Sequence, residues 1–393
     1  VSERRMMRIY ADYAAAAPIR PEARDAMLEA LDAGLGNPSS VHGAGARARA
    51  RLEAAREEVA AALGAHPLEI VFTSGATEAN NLALTGIAQS RPGGCHLAVP
   101  ATEHSSILGP ARALAAHGHR LTTLATDETG RSDPRLVAEA GPDLLSAALV
   151  NAETGIIQDV AALAIAVRTR GGLMHVDAAQ GATVLLLGVD DLAVDLLTLS
   201  SAKLGGPPGA GALYVRRGTT VAPQHRGGPQ EQGLRAGTEN VPAIVGFATA
   251  LAIALAECAR EQPRLAALRD RLRHRIATEW PAARFAAADE VPAAPHIVNV
   301  TWPGVIGEDV VAALDLEGIA VSTGSACAAG AAEPSHVLLA MGRSDHEASG
   351  ALRVSLGWGS TVADVDGIML ALTRVLARVA QRSEEAAWPA HGS

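Results

Sequence analysis

Short apolar runs and amphipathic stretches alternate along the first part of the chain, and this pattern predicts strands that alternate with helices. Regular alternation of this kind is typical of a mostly parallel sheet that helices cover on both faces. The predicted strands are 69–73, 96–99, 121–125, 144–150, 173–176, 194–199 and 211–215, and the predicted helices are 21–33, 44–63, 78–89, 105–117, 133–140 and 160–170.

The pattern changes after a long apolar helix predicted at 241–261, where Pro263 predicts a break in the helix. A mixed order of elements follows, and the Ala-rich stretch 282–294 is predicted to form surface loops. The predicted helices of this part are 264–279, 308–316, 334–340 and 362–382, and the predicted strands are 296–301, 319–321 and 351–356, with one more strand near the start of the chain at 8–11.

Composition supports a chain of two domains. The 393 residues are enough for a large α/β domain over 16–260 and a smaller α+β domain built from 1–15 and 261–393. Because 48% of the residues are hydrophobic but only 3% aromatic, the core must consist mainly of Ala, Leu and Val. A net charge of −9 disfavours nucleic acid or an anionic membrane as the main partner.

Segments for membrane insertion or export are not expected. No apolar run approaches the roughly 20 residues that span a bilayer, and the first residues lack the apolar core of a secretory signal. Cys95, Cys258 and Cys327 are far apart and odd in number, which supports neither a disulfide framework nor a metal site. We therefore predict a reducing, cytoplasmic location.

The candidate chemistry begins at Lys203, which follows the predicted strand 194–199 and precedes a loop rich in Gly and Pro. α/β folds bind their ligands at the ends of such strands. Small neighbours leave room for a flat ligand, and a desolvated amine suits Schiff-base chemistry. An isolated Lys is more often a solvated loop residue, so Lys203 needs support from the rest of the chain.

That support comes from other strand ends. The sequence TSGATEANN at 73–81 predicts a tight turn before a helix, which can bind phosphate or can simply be capped. Asp177 ends another apolar strand, where it could pair with a protonated pyridine nitrogen or cap the next helix. Gln180, Asn151 and His104 also follow strand ends. Any one of these six features could have a purely structural role. Their coincidence at one edge of a sheet is much less expected from structural roles alone.

Two residues of the smaller domain carry further chemistry. Cys327 lies in STGSACAAGAAEP at 322–334, which has no periodic apolar face, and we expect an accessible thiol on a mobile loop. Cys95 and Cys258 are instead expected to pack in the core. Arg353 lies in an apolar strand and needs an anionic partner, for which a substrate carboxylate is a good candidate.

These motifs together resemble the cysteine desulfurases of the NifS/IscS type, in the class V aminotransferases. The resemblance runs from YADYAAAAP through SGATEANNLAL, TEHSSIL, HVDAAQ, SSAK, GLRAGTEN and GSACAAGAAEPSHVLLAMG to LRVSLG. The stretch around Cys327 resembles the long active-site loop of the group I enzymes. The family implies the pyridoxal-phosphate fold of type I, with a large domain around a mostly parallel seven-stranded sheet and a smaller α+β domain that carries the cysteine loop.

The resemblance also implies pyridoxal 5'-phosphate as the cofactor. Lys203 would hold it covalently and later move protons, Asp177 would pair with the ring nitrogen, and His104 would stack on the ring. The other positions would serve the ring oxygen side (Asn151 and Gln180), the phosphate (Ala76, Thr77 and Ser200) and, from the partner subunit of a homodimer, the phosphate again (Thr238).

For the reaction, the resemblance implies conversion of L-cysteine to L-alanine. Arg353, with Asn151, would bind the substrate, and Cys327 would attack its sulfur and carry it as a persulfide to an acceptor protein or enzyme. No metal is implied. A selenocysteine lyase, another class V enzyme and a non-catalytic sulfur-carrier scaffold are the alternatives, and the acceptor is not specified by the sequence.

The chain departs from the family pattern beside the cofactor lysine. Ala202 replaces the usual His, Pro208 stands where a basic residue is common, and Trp358 replaces an expected basic residue. Loss of the imidazole at 202 removes one phosphate donor, so we expect weaker cofactor binding. Ser201 is the first candidate to replace that donor.

Overall fold

The computed structural model describes residues 9–34, 36–324 and 333–386. The chain divides into two compact units. The large unit consists of Ala16–Asn151 and Ile157–Arg260, and the small unit of Val1–Ala15, Ala152–Ile156 and Glu261–Ser393. The segment Ala152–Ile156 groups with the small unit, which the sequence did not predict.

The strands and helices of the described residues follow the predicted order, except that the helices Ser201–Leu204 and Asp345–Ser349 and the strand Arg284–Phe285 were not predicted and the helices 241–261 and 264–279 are one. The strands are β1 (Ile9–Tyr10), β2 (Ile70–Thr73), β3 (His96–Pro100), β4 (Arg120–Leu124), β5 (Leu144–Ala148), β6 (Leu173–Asp177), β7 (Leu196–Ser200), β8 (Gly211–Val215), β9 (Arg284–Phe285), β10 (Ile297–Thr301), β11 (Ile319–Ala320) and β12 (Leu352–Ser355). The helices are α1 (Pro21–Asp32), α2 (Gly43–Leu63), α3 (Ala76–Gln89), α4 (Ser105–Ala116), α5 (Pro134–Ala140), α6 (Val160–Arg168), α7 (Ser201–Leu204), α8 (Val241–Glu279), α9 (Gly307–Leu316), α10 (His336–Ala340), α11 (Asp345–Ser349) and α12 (Val362–Ala386).

The large unit is built on one sheet, which within the described residues has seven strands in the order β2-β8-β7-β6-β5-β3-β4. The pairs from β7 through β4 are parallel, and β8 runs antiparallel to both of its neighbours. Strands β7 and β8 are buried along their whole length, as strands covered on both faces must be. The predicted mostly parallel seven-stranded sheet is confirmed.

The small unit has an antiparallel sheet in the order β12-β10-β9 and a parallel pair of β1 with β11. The prediction of surface loops for 282–294 is wrong in part. Arg284–Phe285 form β9, and Ala286, Ala287 and Val291 belong to a buried cluster. The same cluster contains Ile156 and Val337, which are distant in the chain, so local sequence does not reveal this burial.

The predicted break at Pro263 is also wrong, because α8 continues through it to Glu279. Proline removes one backbone hydrogen bond from a helix, but buried side chains on both sides stabilise the continuous form. Phe247 and Leu251 are buried before the proline, and Leu268 and Leu272 after it. Tertiary packing therefore outweighs the local helix-breaking signal.

Helix α8 also corrects the expectation about long apolar runs. Within the described residues it is the one helix long and apolar enough to cross a membrane by length and composition, with a window of mean hydropathy 1.9. However, 56% of that window is buried inside the protein. A core helix passes the same test, so this is weak evidence for a membrane span.

Candidate active site

The large unit brings its predicted site residues to the carboxyl edge of the sheet. Asp177 is the last residue of β6 and Ser200 the last of β7, and Asp177 is paired in register with Thr198. Lys203 follows in the one-turn helix α7 and is half-buried. Carboxyl ends of neighbouring parallel strands meet at one edge, so the order of the sheet itself gathers these side chains.

The backbone around Lys203 is fixed by its neighbours. The carbonyl of Ala202 accepts a hydrogen bond from the Ala17 amide (2.8 Å), and Gly205 ends the turn with φ +80°. Ser201, expected as a substitute phosphate donor for the missing His, is fully buried, and a Cβ added at Gly206 would lie 2.3 Å from its Oγ. Its hydroxyl therefore faces Gly206 within the core of the unit.

Asp177 is a buried carboxylate that neutral groups support. It is 8% exposed, its Oδ1 accepts a hydrogen bond from the Ala179 amide (2.9 Å), and its Oδ2 accepts one from Asn80 Nδ2 (2.7 Å). Among the residues that the structure describes, none forms an ion pair with it. A buried carboxylate normally needs a compensating cation, so the surroundings of Asp177 suit a cationic ligand. Asp177 also supports the turn after β6 through the Ala179 amide, and its pairing with a pyridine nitrogen stays a prediction.

Asn80 and Ser106 are site residues that the sequence interpretation missed. Asn80 Nδ2 donates to Ser106 Oγ (2.8 Å) as well as to Asp177, and Ser106 Oγ lies 2.8 Å from His104 Nδ1. His104 caps α4 and its side chain is exposed on the other side. A signal for Asn80 was present, because it is a polar residue on the buried, otherwise apolar face of α3 and therefore needs a polar partner.

Asn151 and Gln180 lie near the same edge and are both buried. Asn151 Nδ2 donates to the carbonyl of Thr102 (2.9 Å), which directly precedes Glu103 and His104. Gln180 follows β6, and its carbonyl accepts a hydrogen bond from Thr183 Oγ1 (2.6 Å). The first of these contacts positions the side chain of Asn151, whereas the second involves only the backbone of Gln180.

The turn before α3 has the geometry of an anion site. Gly75 has φ +147° and gives the helix no side-chain cap, so the first amides of α3 at Ala76 and Thr77 face away from any intrahelical acceptor. A Cβ at Gly211 would lie 2.6 Å from Gly75 Cα, so this close approach requires glycine. Thr77 is exposed in the single chain.

Glu78, in the first turn of α3, is neutralised by its own partner. Burial alone would raise the pKa of Glu78, but hydrogen bonds from Arg235 and Ser74 outweigh it and lower that pKa below its usual value. Arg235 Nε lies 2.8 Å from Glu78 Oε1. Thr238, three residues beyond Arg235, is exposed in the single chain. The Glu78 carboxylate, which follows the turn before α3, is thus paired with Arg235 and does not add an unmatched negative charge there.

Arg353 lies in β12 of the small unit and is 5% exposed. Its Nη2 donates to Asp12 Oδ1 (2.8 Å) and its Nη1 to the carbonyl of Ala152 (3.1 Å), whereas its Nε has no partner among the described residues. The sequence predicted a substrate carboxylate as the partner of this cation. In the structure its partner is an internal carboxylate, Asp12, which lies 341 residues earlier in the chain. At that separation no local sequence pattern links the two residues.

Cys327 lies outside the described residues, so its predicted exposure stays a prediction. The residues on either side approach one buried side chain, Glu153. Ser335 Oγ donates to Glu153 Oε2 (2.5 Å), and a Cβ added at Gly324, where φ is +96°, would lie 3.4 Å from the same oxygen. Burial raises the pKa of Glu153. The sequence interpretation did not include Glu153.

The other cysteines are buried, as predicted. Burial raises the pKa of the Cys95 thiol to about 11, so it is not a thiolate at neutral pH. Cys258 Sγ lies 3.3 Å from the carbonyl of Val184. Among the residues described, no group of three or more His, Cys, Asp and Glu side chains could hold a metal ion.

Comparison with known proteins shows the family to which the chain belongs. The model of the aminotransferase class-V family matches residues 9–368. The cysteine desulfurase IscS of Dictyoglomus turgidum is 38% identical over 375 residues, which cover 94% of this chain and 95% of the relative. A solved NifS-like protein has a TM-score of 0.88 at 32% identity, covering 95% and 100% of the two chains. A solved SspA in complex with cysteine has a TM-score of 0.77 at 34% identity, covering 88% and 98%.

Proposed function

The chain belongs to the class V aminotransferase family, and from that premise we propose that it is a cysteine desulfurase, which converts L-cysteine to L-alanine and passes the sulfur to an acceptor. The observation that carries the proposal is Asp177, a buried carboxylate supported by neutral donors only, at the same sheet edge as Lys203. Relatives named cysteine desulfurase over nearly the whole chain give the substrate class.

Pyridoxal 5'-phosphate fits the residues of the large unit. Its protonated pyridine nitrogen would supply the cation that the surroundings of Asp177 suit, and the uncapped start of α3 would receive its phosphate. When bound, the cofactor supplies an electron sink for bonds broken at the substrate's Cα and Cβ. The residues that would hold it are Lys203, Asp177, His104, Asn151, Gln180, Ala76, Thr77 and Ser200, with Thr238 of the partner subunit.

Different residues of the chain would then perform different steps of the reaction. Lys203 Nζ would anchor the cofactor and take up and return protons. His104 would cover the ring face. Cys327 would accept the sulfur of the substrate as a persulfide while alanine leaves, and it would then give that sulfur to an acceptor protein or enzyme.

Arg353 would bind the substrate carboxylate, together with Asn151. Asp12 already occupies one edge of the guanidinium, but the Nε atom is left for a further acceptor within the described part of the chain. A bidentate contact on a guanidinium uses two N–H groups, and Arg offers five. The substrate would therefore share Arg353 with Asp12.

The remaining features of the proposal follow from the family and the chemistry. A homodimer is required if Thr238 of the partner subunit completes the phosphate site. A cytoplasmic, reducing location suits a mechanism in which Cys327 must return to the thiol after each turnover. The acceptor could belong to any process that uses persulfide sulfur.

Two variants test the proposal. Lys203→Ala should remove the visible absorbance that borohydride fixes to the native protein, because no other amine lies in α7 or at the end of β7. Cys327→Ser should keep that absorbance and bind L-cysteine, yet release almost no sulfide or alanine in the presence of a reductant. Cys95→Ser is the matched control and should behave like the native protein. Full turnover in Cys327→Ser, or visible absorbance that borohydride still fixes to Lys203→Ala, would contradict the proposal.

A further inference from the structure

We propose that Gln230 and Glu231 are positioning residues that hold Thr238 in place to serve the phosphate site of a second copy of this chain. The proposal rests on the proposed function, in which Thr238 has that role. It concerns residues 222–240, here called the arm, which lie between β8 and α8 in the large unit. The structure describes the arm throughout, and Glu231 is its only buried residue.

The carboxylate of Glu231 attaches the arm to the large unit through three hydrogen bonds. Its Oε2 and Oε1 accept from Nη1 and Nη2 of Arg56, each at 2.8 Å, and Oε2 also accepts from the Phe72 amide at 2.7 Å. Glu231 and Arg56 are each 4% exposed. A bidentate contact between a guanidinium and a carboxylate fixes orientation as well as distance. The attachment therefore holds the arm in one orientation.

The backbone at this attachment has a conformation that residues with side chains rarely adopt. Glu231 has φ +45°, Gln232 has φ +58° and Gly233 has φ +81°. Left-handed backbone is unfavourable for residues other than glycine, and two such residues in succession persist only where surrounding contacts fix them. The buried pair of Glu231 with Arg56 supplies such contacts, so the shape of this turn depends on the pair.

The two limbs of the arm on either side of the turn are in contact. The amide of Gly237 donates to Gln230 Oε1 at 3.1 Å. A Cβ added at Gly227 would lie 2.9 Å from the Cβ of Ala236, so the limbs approach closely there as well. The side chain of Gln230, next to the buried attachment, thus reaches the residue directly before Thr238.

A second contact holds the arm but does not replace the one from Gln230. Arg235 Nε lies 2.8 Å from Glu78 Oε1, which fixes the arm three residues before Thr238. Gly237 lies between Arg235 and Thr238 with φ +106°, and glycine leaves the backbone free to rotate. The hydrogen bond to Gln230 restricts that rotation. Thr238 itself is exposed in the single chain, as a residue that serves a second copy must be.

Gln230→Ala removes the acceptor for the Gly237 amide and should change two measurements on the full-length protein. Amide hydrogen exchange in 234–240 should become faster, and release of the cofactor should become about three- to tenfold faster, as for the loss of one hydrogen bond. The KM for L-cysteine at saturating cofactor should not change. An arm that serves stability alone would show the faster exchange with unchanged cofactor release.

Two further variants act as controls for Gln230→Ala. Gln230→Glu keeps an acceptor oxygen at the same place and should restore both native values. Gln232→Ala is the matched control, because Gln232 Nε2 lies 3.5 Å from the carbonyl of Ile70 in β2 and should leave both values unchanged. Unchanged cofactor release in Gln230→Ala, or an equal change in Gln232→Ala, would overturn the proposal.

Mixed dimers test whether the arm serves a second copy. Chains with Gln230→Ala and chains with Lys203→Ala are co-expressed with different affinity tags, and the mixed dimer is isolated. Absorbance that borohydride fixes reports only the site with Lys203, which would receive the native arm of the other chain. Cofactor release from this site should return to the native rate. Release as fast as from dimers of Gln230→Ala alone would mean that the arm serves its own copy, and the proposal would be wrong.

Glu231→Gln removes the charge that matches Arg56 and should speed cofactor release more than Gln230→Ala does. If Glu231→Gln does not fold, the variants of Gln230 decide the question. A protein that binds no pyridoxal phosphate would refute the proposed function, whereas exchange of the Gly237 amide would still show whether Gln230 holds the arm.

Discussion

Two buried charges of this protein, one in each unit, are stabilised in different ways. In the large unit, Asp177 is supported by an asparagine amide and a backbone amide, both neutral. In the small unit, the buried guanidinium of Arg353 is paired with a carboxylate, Asp12. Neutral donors stabilise an anion without cancelling its charge, whereas an ion pair neutralises both partners.

This difference has a consequence for ligands. Asp177 has no charged partner among the described residues and can pair with a cation that arrives in the site. The guanidinium of Arg353 is already paired with Asp12. An incoming carboxylate would share the guanidinium with Asp12 and would bind less tightly than to an unpaired guanidinium. Under the proposed function, Asp177 would hold a cofactor that stays bound, whereas Arg353 would hold a substrate that enters and leaves in every turnover.

The largest expected effect tests the charge at Asp177. Asp177→Asn keeps a side chain of the same shape but removes the charge, and desulfurase turnover should fall about 10²- to 10³-fold, as when a preorganised electrostatic contact is removed. The measurement is alanine release from L-cysteine, with circular dichroism as the check on folding. Turnover within about threefold of the native rate would show that the neutral donors do not serve to preserve a charge.

The second prediction concerns another buried carboxyl of the same unit, whose pKa burial raises. Glu103 is 2% exposed, and burial raises its pKa to about 8 from 4.5, although the Ala148 amide, 2.9 Å from its Oε1, opposes that shift. The unfolded chain releases this proton near pH 4.5 and the folded protein near pH 8. The native protein should therefore lose stability as the pH rises through this window.

Glu103→Gln cannot ionise, so the free energy of unfolding of this variant should increase relative to that of the native protein by on the order of 3 kcal/mol from pH 5 to pH 8. Urea unfolding at several pH values measures the difference. A difference that is constant with pH would mean that burial does not raise the pKa of Glu103 in the folded protein.

The smallest effect concerns the ion pair of the small unit. Asp12→Asn should lower the free energy of unfolding by about 1–2 kcal/mol, because the partly buried partner of Arg353 loses its charge. It should also lower the KM for L-cysteine, since the guanidinium is no longer shared. Asp25→Asn removes one partner of the exposed pair with Arg24 and should change neither quantity. A raised KM in Asp12→Asn would indicate that Asp12 orients Arg353 and does not compete with the substrate.

Much of the site was accessible from the sequence because its residues are local to strand ends. Asp177 and Ser200 are terminal residues of apolar strands, and Lys203 follows one of them after two residues. A short apolar run and the polar residue that ends it are neighbours in the chain, so pattern alone places them. Arg353 stood out as a charge in an apolar strand and Cys327 as a thiol in a stretch without a periodic apolar face, and the resemblance in motifs then supplied their expected roles.

The partners of those residues were not accessible. Asn80 lies 97 residues from Asp177 and Asp12 lies 341 residues from Arg353, and no local pattern connects either pair. The same reason explains the failures of the fold prediction. Pro263 is a helix breaker by its own chemistry, and the residues 282–294 lack periodicity, yet packing against distant elements decides that one is helical and the other partly buried.

The sequence by itself determined the order of strands and helices, the mostly parallel sheet, and which chemical groups stand at its carboxyl edge, because hydrophobic periodicity and chain connectivity are local properties. Only the tertiary structure decided which buried charge is matched by another charge and which by neutral donors. That choice depends on side chains brought together across the sheet by the folded chain. It is the difference between Asp177, held ready for a cation by Asn80, and Arg353, already paired with Asp12.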